Sequence, residues 1–309
     1  MNPNNKRLIE EAFRKVRLSG KLADSSIIKY RDSANKFFAV IGNDISIDIL
    51  TARHFENFIL KMKDNNASNS RIANVISALK RIIHELRSNN LTKNHIDLES
   101  IIKPKIIKKS VNYLTEEEVK KLVGAIENDI ENGIEIRKVR MMSLVTLLLQ
   151  TGARIGEALS INKDDIDWNS NEVAIIGKGG KPRDLFLRKE SRYWIKKYLS
   201  MRNDDNRALF VALSGKSRWQ QTDVGRSFRR YRYQSGIKQK FTLHTLRHTC
   251  ATQLLLKSFP INAIQEILGH SDLETTTKYY LGAAKKDRLK KLVLKDEYFD
   301  FIPKSKIVN

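Results

Sequence analysis

The chain has 309 residues, with 57 Lys and Arg against 35 Asp and Glu, a formal net charge of +22. A hydrophobic share of 41% and a charged share of 30% exclude a disordered chain, and the length fits two domains, each with its own core. The longest strongly apolar stretch, residues 144–149, is too short to span a bilayer, residues 1–13 lack a signal-peptide core, and a single cysteine, Cys250, excludes an intramolecular disulfide and a Cys-rich zinc site.

The expectation is a cytoplasmic protein with a polyanionic partner. Residues 1–110 hold 21 basic and 11 acidic side chains, and the remainder hold 36 and 24. Both halves are basic, as expected of a clamp that grips a duplex from two sides.

In chain order, residues 24–41 read as a helix carrying Ile27, Ile28, Tyr30, Phe37 and Phe38. Thr51 caps a second helix, with Phe55, Phe58, Ile59 and Met62 on one stripe. Ser68 or Asn69 opens a third, which buries Ile72, Val75, Ile76, Leu79, Ile82, Ile83 and Leu86 and leaves Arg71, Lys80, Arg81 and Arg87 on its polar flank. Residues 102–110, with Pro104 and four lysines, read as an interdomain linker.

Thr115-Glu116-Glu117-Glu118 is a capping box with Leu114 as its staple, and a helix is expected over 137–150. The period then changes. Residues 165–168, 172–176 and 183–187 read as short strands joined by Asn169-Ser170-Asn171 and Gly177-Lys178-Gly179-Gly180. Helices resume over 189–200, 223–234, 244–257 and 261–268. The fold expected is mainly α with one small antiparallel β-sheet.

Six residues stand out as carriers of chemistry: Arg154, Lys178, His244, Arg247, His270 and Tyr279. Singly, each has a plain structural reading: a solvated hairpin lysine, a packing tyrosine, a capping histidine. Jointly they fit phosphodiester chemistry without a metal, since the sequence carries no acidic cluster with metal spacing and no P-loop. Attack on a phosphodiester builds negative charge on the nonbridging oxygens, which Arg154 and Arg247 suit as bidentate donors. His244 precedes Arg247 by three residues and shares its helix face. His270 adds a further donor. Lysine suits protonation of the departing 5′ oxygen, and a tyrosine suits the nucleophile if a base or cationic field activates it.

The stretches TGARIGEAL (151–159), GKGGKPRDLFL (177–187), HTLRHTCAT (244–252) and LGHSDLETTTKYY (268–280) resemble the tyrosine recombinase, or phage-integrase, family, close to its simple two-domain Xer type. The matching stretch runs from about residue 113 to 281. The resemblance implies a catalytic set of Arg154, Lys178, His244, Arg247, His270 and nucleophilic Tyr279, with Glu157 bracing Arg154. Tyr279 is preferred to its neighbour Tyr280 because the family places its nucleophile nine residues after the Gly-His histidine. It also implies an N-terminal helical core-binding (SAM-like) domain over 1–101, a linker over 102–110, a catalytic domain over 111–284 and a tail over 285–309 that docks on a neighbouring protomer or, alternatively, on its own domain.

The implied reaction is site-specific recombination of double-stranded DNA through a 3′-phosphotyrosine and a Holliday junction, by a dimer on each site and a tetrameric synapse, with no cofactor and no ATP. A partner recombinase or accessory protein is compatible with it, and no membrane partner is expected. The competing readings are a noncatalytic DNA-binding protein on the same fold and a type IB topoisomerase. Arg71, Lys80, Arg81, Arg218, Arg226, Arg229 and Arg230 are the candidates for DNA contact; the last four lie in an Arg-rich stretch with Trp219 and Tyr231.

Overall fold

The computed structural model describes residues 1–18, 20, 22, 24–106, 111–129, 135–177, 180 and 182–269. The chain divides into two compact units, Met1–Lys108 and Lys109–Asn309.

Among its described residues the first unit holds four α-helices: α1 (Pro3–Leu18), α2 (Asp24–Ile41), α3 (Ala52–Asp64) and α4 (Asn69–Ser88). Ser68 is the N-cap of α4, its hydroxyl accepting from Arg71 N at 3.3 Å. Phe37 of α2 lies against Phe55 and Phe58 of α3, and α4 adds Ile72, Ile76, Leu79, Ile82, Ile83 and Leu86 to the same core. The expected stripe of α4 is buried throughout; in α2 and α3, Ile27, Phe37, Phe38, Phe55 and Phe58 are buried and Tyr30, Ile59 and Met62 partly so, but Ile28, expected with them, is 52% exposed. The helix α1 was not anticipated; its Leu8, Ile9, Ala12, Phe13 and Val16 join this core.

The second unit opens with α5 (Glu116–Glu127), whose Thr115 cap and Glu118 bond reciprocally to each other's backbone N–H groups. Its centre is α6 (Glu135–Thr151), buried from Val139 through Leu148. A helix apolar on most sides has no solvent face to keep, and α5, α8 (Lys189–Ser200) and α10 (Leu243–Leu256) pack around it.

Three strands form an antiparallel sheet in the order β1 (Ile166–Asp167), β2 (Glu172–Ile176), β3 (Pro182–Phe186). In its register, Val173 faces Leu185 and Ile175 faces Arg183. The short helix α7 (Ile155–Ser160), also unanticipated, precedes the sheet; α9 (Gln221–Gln234) and α11 (Ile261–Leu268) are the remaining helices among the described residues. The mainly helical fold with one small antiparallel sheet is thus the one expected. Among the described residues no helix is long and apolar enough to cross a membrane.

Candidate active site

The site starts where α6 stops. Thr151 Oγ1 donates back to Leu147 O at 2.7 Å and accepts from Ala153 N at 3.2 Å, turning the chain outward. Gly152 takes φ +64°, and a Cβ there would meet Leu268 Cδ2 at 2.5 Å, so the turn requires glycine. Two residues on, Arg154 is the N-cap of α7. Glu157 Oε2 accepts from its backbone N at 2.8 Å and Oε1 from its Nη1 at 2.6 Å. One carboxylate thereby fixes both ends of the arginine.

The second part comes from the first turns of α10. Thr245 Oγ1 accepts from Thr242 N at 2.9 Å, starting the helix, and places His244 and Arg247 one turn apart. Arg247 is only 2% exposed. Its Nη1 donates to Gly152 O at 2.6 Å and its Nη2 to Leu268 O at 2.7 Å.

The third part is the C-terminal end of α11. Gly269 ends the helix at φ +62°. A helix leaves its last carbonyls without partners inside itself. Here three successive carbonyls each take a guanidinium: Ile267 O from Arg183 Nη1, Leu268 O from Arg247 Nη2, and Gly269 O from Arg154 Nη2 at 3.2 Å. Three cations at the negative end of a helix are electrostatically favourable.

Glu157 sits among these cations, 7% exposed. Burial pushes its pKa up, but the bonds from Arg154 backbone and side chain, and the bond and charge of Arg183, outweigh it and leave the carboxyl below its ordinary value. His244 is shifted the other way in charge. Enclosure of its ring by neighbours, then the charges of Arg247 and Arg154, lower its pKa below 6.5, although much of the residue remains open to solvent. A neutral imidazole can take a proton, which an imidazolium cannot.

Four of the expected residues, Arg154, Glu157, His244 and Arg247, thus come together. Lys178, His270, Tyr279 and the tail over 285–309 lie outside the described residues, but Gly269 is the residue before His270, and β2 and β3 flank Lys178 in sequence.

The candidates for DNA contact separate by environment. Arg71, Arg229 and Arg226 are exposed, Arg226 with an ion pair to Asp223 at 3.3 Å, and Lys80 is half-buried. Arg81 pairs with Glu85 at 2.5 Å. Arg230 pairs with Asp129. Arg218 donates to Leu159 O, Ile161 O and Asn162 Oδ1 at 2.6, 2.9 and 2.6 Å, joining loop to loop. Trp219 and Tyr231 are buried in the core, Trp219 beneath the Arg140 guanidinium at 3.7 Å.

Arg183 was missed as a site residue. The signal was present: in β3, positions 183 and 185 share one face, and a cation stands there in line with buried Leu185 and, just past the strand, buried Leu187.

Residues 112–286 match the phage integrase family, and on that span, more than half its length, the chain belongs to this family. Within it the chain is a tyrosine recombinase of Xer-like type, an enzyme of site-specific DNA recombination. It is 35% identical over 238 residues to tyrosine recombinase XerA of Pyrococcus furiosus, covering 76% of this chain and 78% of that one. Against tyrosine recombinase XerD of Oceanobacillus iheyensis the identity is 29% over 307 residues, covering 96% and 98%.

Among solved structures, the fold matches XerH site-specific recombinase bound to a palindromic difH substrate, with TM-score 0.71, 24% identity and coverage of 88% and 80%. It also matches a lambda integrase tetramer bound to a Holliday junction, with TM-score 0.68, 18% identity and coverage of 86% and 77%. At these identities the structures show the shared fold alone.

Proposed function

We propose that the enzyme cuts one DNA strand at a time with Tyr279, forming a 3′-phosphotyrosine and freeing a 5′ hydroxyl. The 5′ hydroxyl of a partner strand then reverses the step, releasing the tyrosine and giving a Holliday junction, which a second exchange resolves. The phosphotyrosine stores the energy of the broken phosphodiester, so religation needs no ATP.

The observation that carries this reading is the convergence of Arg154 and Arg247 on the carbonyl end of α11, which His270 follows directly in sequence, with His244 under the charges of both. A guanidinium carries five N–H donors, so Arg154 and Arg247 hold backbone carbonyls with some and meet the nonbridging phosphate oxygens with others. Their positions are fixed before substrate arrives, which is what lets them stabilise charge that develops only in the transition state. Neutral His244 takes the tyrosine proton. Lys178 protonates the leaving 5′ oxygen, and His270 donates to the phosphate.

In this reading residues 1–101 form the core-binding domain, 111–284 the catalytic domain, and both contact a duplex in the cytoplasm. Two protomers bind one site and two sites pair, giving four protomers, the number in the lambda integrase tetramer bound to a Holliday junction. Residues 285–302 dock on a neighbouring protomer; deletion of 285–309 should abolish cooperative binding to a two-site duplex in a gel-shift titration. The noncatalytic and topoisomerase readings are not favoured by the Xer-type relatives.

The test uses a nicked suicide duplex carrying an inverted-repeat site selected by the full chain from a random library. An SDS-stable protein–DNA adduct should form and should vanish in Tyr279→Phe. Its survival in Tyr279→Phe with loss in Tyr280→Phe would move the nucleophile by one residue.

A further inference from the structure

Arg183 has no part in the reaction above, yet it is as firmly held as the arginines that do. It lies on the inward face of β3, its side chain 13% exposed. One terminal nitrogen donates to Glu157 Oε2 at 2.7 Å, and the other to Ile267 O. Its Nε is buried without a hydrogen-bond partner, a local cost that an apolar residue in line with Leu185 would not carry. The chain also makes room for it: a Cβ on Gly269 would lie 2.7 Å from Arg183 Cδ and from Nε.

Both of its partners lead to Arg154. Glu157 holds Arg154 at its backbone and guanidinium, and the α11 terminus gives Arg154 the carbonyl of Gly269. We infer that Arg183 is a positioning residue for strand cleavage. It ties β3, the strand that follows Lys178, to Glu157 and to the end of α11, so that Arg154 keeps one orientation relative to the hairpin. The role needs a planar fork, because two acceptors on different elements must be met at once; a lysine ammonium has the charge without that geometry. The inference rests on the phosphotyrosine reading, since a positioned Arg154 matters only if a phosphate is attacked there.

The experiment measures single-turnover adduct formation on the same nicked duplex, DNA affinity, and melting, for the full chain and for Arg183→Gln, Arg183→Lys, Glu157→Gln and the double variant Arg183→Gln/Glu157→Gln. Arg183→Gln should slow cleavage about 30-fold or more while affinity stays within about threefold, the signature of an interaction that serves the transition state. The double variant should be about as slow as Glu157→Gln alone, because residues acting through one chain of contacts are not additive. Arg183→Lys should stay slow, and it carries the test if Arg183→Gln melts too early to assay. Near-wild-type cleavage in Arg183→Gln, rescue by lysine, or effects that multiply in the double variant would each overturn the inference while leaving the recombinase reading standing. Failure of the wild-type chain to form any adduct would overturn both.

Discussion

The carboxylate of Glu157 is bonded to Arg154 N, Arg154 Nη1 and Arg183 Nη2. Removing one partner of so buried a set costs on the order of 3–5 kcal/mol, because the remaining charges stay desolvated. The lowered carboxyl pKa means that its stabilising contribution is complete above the ordinary glutamate range and fades as pH falls through the folded-state value. His244 gives a kinetic counterpart. With its pKa held below 6.5, the neutral ring persists as pH drops through 6.5. In a pH–rate profile of adduct formation, the inflection that His244→Gln removes should lie below 6.5; an inflection at or above that value would show that the imidazolium is not disfavoured in the working site. Arg154, Glu157, His244 and Arg247 were legible in the sequence because each sits in a short motif, and Arg154 and Glu157 are also partners three residues apart. Arg183 left only a local mark, a cation in line with Leu185 and Leu187; its role was hidden because its partners lie 26 and 84 residues away.

At the scale of elements, two glycines make the site possible. Gly152 turns α6 into the Arg154 segment at φ +64°, and Gly269 closes α11 at φ +62° against Arg183. Alanine at either position faces both a strained backbone and a contact under 3 Å. Gly152→Ala and Gly269→Ala should each lower the melting midpoint by several degrees, since about 1 kcal/mol of strain shifts a domain of this size by a few degrees. Each should also cut adduct formation by about tenfold or more, measured at matched folded fraction. Unchanged cleavage in both would separate the helix ends from the chemistry. Most elements were legible here: α2, α8 and α11 match their expected spans residue for residue, because each carries apolar residues at helical spacing. The short helix α7 has six residues, too few for a period to repeat. The helix α1 bears marks of its own, an apolar period, Asn2 as a side-chain cap accepting from Asn5 N at 2.8 Å and Pro3 as its first residue, but charged and amide side chains dilute its stripe.

For the molecule as a whole, the net charge of +22 divides into two populations. Some cations are bound into the fold, as Arg218 is to Leu159 O, Ile161 O and Asn162, and others, such as Arg71 and Arg229, face solvent. Only the second kind can release counterions from DNA. Neutralising Arg71 and Arg229 together should make the slope of log affinity against log salt shallower by about 0.9 for each phosphate that is no longer neutralised. Arg218→Gln should lower the melting temperature and leave that slope alone. The total charge and its presence in both halves were visible from composition; which cation belongs to which population was not, because that depends on carbonyls supplied by distant loops.

The three guanidiniums on the end of α11 also impose an order of assembly. Arg154 and Gly269 are separated by 115 residues, and Arg183 and Arg247 enter from two further segments. Contacts between points so distant along a chain must first offset the entropy of closing large loops, and they form after local ones. A folding chain therefore completes its helices before this junction can close. The same order run backwards predicts that urea extinguishes adduct formation at a lower concentration than it melts the far-ultraviolet helical signal; coincident transitions would mean that the junction opens only with the entire fold.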